Sequence, residues 1–288
     1  MPVDDEAITA ALLGEPELAD LLAAGDVYLL RAQAHRRAGP PGEWDILVLL
    51  ADDRDVPEML TTPLGEDTVG ALAVRAGRSP PGDGGGLGTL SVDLCGPAAR
   101  RDREARDLSI WRFQLAGAQP LHAGWGGGEG YRAGVAARFA ALRSDFARHE
   151  YVQFRAHRHE AAGALRHGDP MSVLLTGALA VRAAMRAWLL WAGRPYPDDS
   201  SLRAQLAEDP RGDDLLAAGR RVLHDQASPA ERFDALQQMW WLLDRHARAH
   251  GAEAHLLAAW WALPELQLPV QGHQLPVQER RTAPEPGT

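Results

Sequence analysis

Not one of the 30 basic residues in this 288-residue chain is a lysine; all are arginine. That absence closes off several chemistries. A Walker A phosphate loop needs its lysine. A Schiff-base enzyme needs the amine, and a kinase-type site needs its strand lysine. Cysteine is almost absent too. Cys95 stands alone, so there is no internal disulfide and no cysteine-based structural zinc site. Cys95 reads as a small apolar filler of a strand rather than as a nucleophile. Positive charge is in deficit, with a formal net charge of -9. That argues against general nucleic-acid binding, which calls for a basic surface. Long apolar runs are missing as well: no stretch reads as reaching the ~18 residues of a membrane span. The opening MPVDDEAITA lacks the cationic start and apolar run of a signal peptide. The expected location is cytoplasmic, with no membrane partner.

What is present suffices for a core. The chain is 45% hydrophobic and 24% charged, enough for one large domain or two ordinary ones. Asp4 to Leu13 and Glu17 to Ala24 have helical spacing. Val27 to Leu30 and Ile46 to Leu50 are apolar runs of the kind buried in a sheet. Between them lie arginines and Gly39-Pro40-Pro41-Gly42, which break any helix. Ala71 to Ala76 and Thr89 to Cys95 read as further strands, joined by the glycine-rich loop Gly77 to Gly88. Ala98 to Asp107 and Ile110 to Ala116 are helix-prone, and Ala118 to His122 reads as a last short strand.

At Gly124 to Gly130 the texture changes. Tyr131 to His167 is rich in Arg and Ala with helical periodicity, and a break is expected near His149 to Tyr151. Gly168-Asp169-Pro170 starts a long apolar helix running to Trp191, with Asp169 as N-cap. Ser200 or Ser201 is expected to cap a short helix ending at Ala207. Two more helices follow, from Arg211 to Gln226 and from Pro229 to His250, and a last one from Ala252 to Leu263. The tail is rich in Pro and Gln and is expected to be poorly ordered. The fold class is therefore α+β: a mixed sheet with flanking helices over residues 1–125, an all-helical bundle over 126–263 and a tail over 264–288.

A strand, a basic turn, a strand opening with Asp45 and a later strand with one central acid, Asp93: this layout resembles the nucleotidyltransferase fold of the DNA polymerase β superfamily. It is most similar to the small bacterial members with a helical C-terminal half, such as the aminoglycoside nucleotidyltransferases. The likeness covers residues 10–250 in layout and is specific only within 26–53 and 89–95. That family carries a Gly-Ser turn, then Asp-x-Asp at the head of a strand, then a third Asp on a later strand. Nucleotidyl transfer explains the pattern: hard divalent metals need carboxylate oxygens, and residues i and i+2 of a strand share a face.

The resemblance implies that Asp45 and Asp93 hold Mg²⁺. It puts Leu47 where the second carboxylate stands in the family, and Gln33-Ala34 where the Gly-Ser pair falls. Arg36 and Arg37 remain in the turn to meet the phosphates of ATP or another nucleoside triphosphate. Glu43, two residues before Asp45, and Asp52, five after Leu47, replace the missing acid only with a change of register. Glu160, or Glu150, stands in the helical half as a base for an acceptor hydroxyl, against the plainer reading of an exposed helix carboxylate. The expected ligand is a nucleotide or small molecule in the cleft between the halves. The expected function is a nucleotidyltransferase-like protein with transfer weak or lost and a nucleotide, metabolite or partner-binding role retained. The alternative is an active Mg²⁺-dependent enzyme moving an AMP group from ATP to a hydroxyl.

Other residues read as ordinary. Asp45 is equally a solvated strand end or a partner of Arg36 or Arg37, and Asp93 equally one half of a buried arginine pair. His149, His157 and His159 match no zinc spacing. Trp240-Trp241 and Trp260-Trp261 read as core rather than as stacking platforms. Arg132, Arg138, Arg143, Arg148, Arg155 and Arg158 form a solvated face or line the cleft.

Overall fold

Strand segments that are apolar at every position are buried on both faces, and two such segments lie near the centre of this sheet. Val27, Tyr28 and Leu29 are buried, as is every residue from Ile46 to Leu50. The computed structural model describes residues 20, 23–30, 43–53, 71–74 and 89–252. The N-terminal helices (apart from residues 20, 23 and 24), the Gly77 to Gly88 loop, the expected last helix and the tail lie outside the described residues.

Among the described residues five strands form one mixed sheet: β1 (Gly25–Leu30), β2 (Glu43–Leu50), β3 (Ala71–Val74), β4 (Thr89–Cys95) and β5 (Ala118–Ala123). Their order is β3-β4-β2-β1-β5. β2 and β4 run parallel, and the other pairs are antiparallel. The parallel register sets Asp45 opposite Ser91 and Leu47 opposite Asp93. On the other side Tyr28 of β1 stands opposite Leu47.

Six α-helices complete the described chain: α1 (Pro97–Gly117), α2 (Gly128–Arg166), α3 (Pro170–Trp191), α4 (Asp199–Ala207), α5 (Asp213–Leu223) and α6 (Pro229–Ala249). α1 starts at once after β4 because Pro97 suits a first helical position. It breaks at Asp107, whose φ of -159° and ψ of 94° leave the helical region. The two helix-prone pieces read from the sequence are the two sides of that break.

α2 runs 39 residues without interruption. The break expected near His149 to Tyr151 does not occur. That stretch holds no Gly or Pro, and Ala147, Glu150 and Tyr151 are all buried against neighbouring helices. α3 opens as expected, with Asp169 accepting a hydrogen bond from Ser172 N at 3.0 Å. α4 is capped by Asp198 rather than by a serine; Asp198 accepts from Ser201 N. α6 opens on a full capping box between Ser228 and Glu231.

One expectation needs amending. α3 is long and apolar enough, by length and composition, to cross a bilayer, but 61% of that window is buried inside the fold. Its apolar character is that of a central helix, packed on α2, α5 and α6. The fold is α+β, a mixed sheet with helices followed by a helical part. A continuous apolar core joins Tyr28, Leu47 and Cys95 of the sheet to Trp111 of α1, Val135 of α2 and the helices beyond.

Candidate functional site

Registered partners share a face of a sheet, so Tyr28, Asp45, Leu47 and Asp93 belong to one face. α1 and the first turns of α2 cover part of it. Leu47 is fully buried there, in one cluster with Tyr28, Cys95 and Trp111. Asp45 is half-buried. The position two after Asp45 therefore lies inside the core.

Asp93 is engaged by α1. Arg103 Nη2 lies 2.6 Å from its Oδ1 and 2.5 Å from its Oδ2. The guanidinium also sits over the Trp111 ring, 5.0 Å from its centroid. Burial raises the Asp93 carboxyl above its ordinary range, and Arg103 pulls it back. For Arg103 burial opposes the charge, yet its neighbours, Asp93 foremost, together hold the guanidinium above its usual value. The pair is a charge-assisted bridge between β4 and the second turn of α1.

A layer of arginines and aromatic rings surrounds it. Trp111 Nε1 donates to Tyr131 Oη at 2.7 Å, and Tyr131 donates to Glu104 at 2.8 Å. Glu104 in turn pairs with Arg138 at 2.7 Å. Arg100 lies over both Trp125 and Tyr131, at 4.6 and 4.9 Å. Arg132 donates to the carbonyls of Leu115 and Ala118 at the end of α1 and lies 5.1 Å from the Tyr28 ring centroid. The Cys95 thiol is pushed up to about 12 by burial, so it is inert as a nucleophile.

Sequence reasoning missed Asp26. This residue is 2% exposed and gathers the glycine-rich joint around its carboxylate. Oδ1 accepts from Trp125 N at 3.0 Å and Gly126 N at 2.8 Å, and Oδ2 accepts from Gly128 N at 2.6 Å. A carboxylate at the start of α2 meets the orphan amides and the positive end of the helix dipole. Any side chain at Gly128 would collide with the Tyr28 hydroxyl and with Asp26. Gly124, crowded by the Ala23 and Gly25 carbonyls, and Gly128 thus serve close approach, not only flexibility.

The remaining candidates are scattered. Arg36 and Arg37 lie outside the described residues. Glu160 is exposed on α2 and paired with His157 at 3.1 Å. It stands 28 residues beyond Arg132, where α2 meets the sheet, which is about 40 Å along the helix. The structure does not bring it to Asp45 and Asp93. Glu150 is buried instead, 3.4 Å from Arg186. The arginines of α2 have separate local partners: Arg138 pairs with Glu104, Arg148 with Asp145, and Arg158 donates to Gln237. Trp240 is flanked by Arg155 and Arg158 at 4.5 and 4.4 Å, while Trp241 is 66% exposed.

Among the described residues, no three His, Cys, Asp or Glu side chains come together as a metal site. Nor do the residues around Asp93 fit Mg²⁺, which needs several hard oxygens; Asp93 faces a guanidinium and the aliphatic Leu47. The β2 ladder begins at Glu43, opposite Thr89. A shift of two residues keeps a strand's face pattern, whereas a shift of one reverses it. Glu43 and Asp45 therefore offer the i, i+2 spacing only through a shift of two positions, away from the rung that sets Leu47 opposite Asp93.

No family model matches this chain, and no curated protein does. Among solved structures it is similar to a nucleotidyltransferase-like protein from Exiguobacterium sibiricum. Identity is 11% and the TM-score 0.44, over 86% of this chain and 77% of that one. A likeness at that level identifies neither a residue nor a reaction.

Proposed function

We propose that this chain is a nucleotidyltransferase-like protein in which metal-dependent transfer is weak or lost and nucleotide binding is retained. The observation that carries this reading is the Asp93–Arg103 pair, with both carboxylate oxygens within 2.6 Å of one guanidinium nitrogen. A carboxylate neutralised in that way is a poor ligand for a hard cation. Leu47 beside it supplies no oxygen. Nucleotide binding on such a face would draw on arginine and aromatic side chains rather than on a metal.

The test is release of pyrophosphate from the four nucleoside triphosphates with Mg²⁺ or Mn²⁺, across a panel of hydroxyl acceptors. Turnover at background and metal-independent nucleotide binding by calorimetry are expected. Robust turnover that disappears in Asp45→Ala would sink the proposal.

The Glu43–Asp45 spacing favours a second reading, an active Mg²⁺-dependent transferase moving an AMP group to a hydroxyl. In that case nucleotide binding requires the metal, and both Glu43→Gln and Asp45→Asn abolish it.

A further inference from the structure

Away from the sheet, five segments meet around one guanidinium. Arg186 of α3 points Nη2 at Asp199, the first residue of α4, at 2.9 Å. Its Nη1 points at Glu150 of α2, at 3.4 Å. Its plane lies 4.5 Å from the centroid of the Tyr196 ring, in the loop between α3 and α4. Tyr196 donates to Asp107 at 3.1 Å, and Asp107 also caps the second piece of α1 through Ile110 N at 3.0 Å. Arg182 reaches Asp199 from the next turn of α3, at 3.4 Å. Arg186 Nε is buried and has no hydrogen-bond partner among the described residues.

The two acids that share Arg186 differ in kind. The side chain of Asp199 is 54% exposed and keeps water in either state, while that of Glu150 is 12% exposed and depends on its neighbours. The groups that face Glu150 are Arg186 and Arg182 from α3, Asp107 from α1 and Tyr196 from the loop. The near contact of Arg186 is with Asp199; the contact with Glu150 is at the limit of a hydrogen bond.

We propose that Glu150 is a protonation-controlled latch on α4. With Glu150 neutral, Arg186 is committed to Asp199 and pins the start of α4 against α3. With Glu150 ionised, the guanidinium is drawn inward to the buried charge, Asp199 keeps only Arg182, and the first turn of α4 loosens. Burial lifts the Glu150 carboxyl to about 7, with Arg186 opposing, so the change falls near neutrality. The latch is independent of the reading given to Asp45 and Asp93.

Amide hydrogen exchange of residues 199–207, corrected for intrinsic rates, tests it on the full chain from about pH 5.5 to about pH 8.5. Protection of α4 is expected to fall severalfold as pH rises, with a midpoint near 7. Glu150→Gln holds α4 protected across the range. Asp199→Asn leaves it weakly protected at every pH. Flat protection in the unmodified chain, or an undiminished transition in Glu150→Gln, overturns the proposal. Should Glu150→Gln fail to fold, the exposed Asp199→Asn variant decides: a transition that persists there overturns it equally.

Discussion

At 2% exposure Asp26 relies on amides, not water, to solvate its carboxylate. Three N–H groups from Trp125, Gly126 and Gly128 do so. Asp26→Ala leaves those donors without their acceptor and should cost about 3 kcal/mol. Asp26→Asn should cost nearly as much, because one oxygen becomes an NH₂ group facing an N–H. Urea unfolding of both variants checks this, and an Asn variant as stable as the parent would count against the carboxylate's role. Nothing near Asp26 in sequence announces its partners, which lie about a hundred residues on; only the fold joins them. Arg103 was more accessible to reasoning. It lies in the second turn of the helix that follows the Asp93 strand, and a strand running directly into a helix brings such residues together. Asp93 was legible as either a ligand or an arginine partner, and the arginine is what it meets.

Among the elements, those with strong local signals were read well. β2 is branched and apolar from Ile46 to Leu50. α3 carries Asp169-Pro170, and α6 carries Ser228-Pro229 with Glu231. Each signal acts within a few residues, so a sequence displays it. The continuity of α2 was not legible, because it rests on Ala147 and Tyr151 finding partners on other helices. Between α3 and α6 such a partnership has a pH signature. His246 stacks on Trp188 with ring centroids 3.6 Å apart and donates to its carbonyl oxygen at 3.0 Å. Burial lowers the imidazole from 6.5 to about 4, and His250 adds to the shift. The unfolded chain therefore takes up a proton before the native one does. Stability from this seam is full above pH 6.5 and is lost progressively as pH falls towards 4.

For the whole molecule, that limb meets an opposite one. Glu150 rises from 4.5 to about 7, so the native state holds a proton that the unfolded chain has released. Its contribution is full below pH 4.5 and is lost as pH rises towards 7. Between these values the two slopes oppose each other and flatten the stability profile. Unfolding midpoints measured across pH should therefore split the limbs. His246→Gln leaves stability falling with rising pH, and Glu150→Gln leaves it rising. Identical profiles for the two variants would show that neither group carries the linkage. Neither slope can be read from the sequence, since both arise from burial by residues distant in the chain. The α+β division could be read, because strand-rich and helix-rich halves differ in texture on either side of the 124–130 glycines.

The lone thiol gives the molecule a built-in clock. Cys95 is fully buried between the sheet and α1, and it keeps its proton until about pH 12. A thiol reagent therefore reacts only during excursions in which that interface parts. With a single cysteine in the chain, the colour released reports one event at one place. Arg103→Gln removes the clasp beside it and should shorten the labelling half-time in native buffer. A half-time unchanged by that substitution would mean that the Asp93–Arg103 bridge does not hold the sheet to α1. Disulfide chemistry, which the sequence denies this protein as a staple, thereby becomes a stopwatch for how often its core opens.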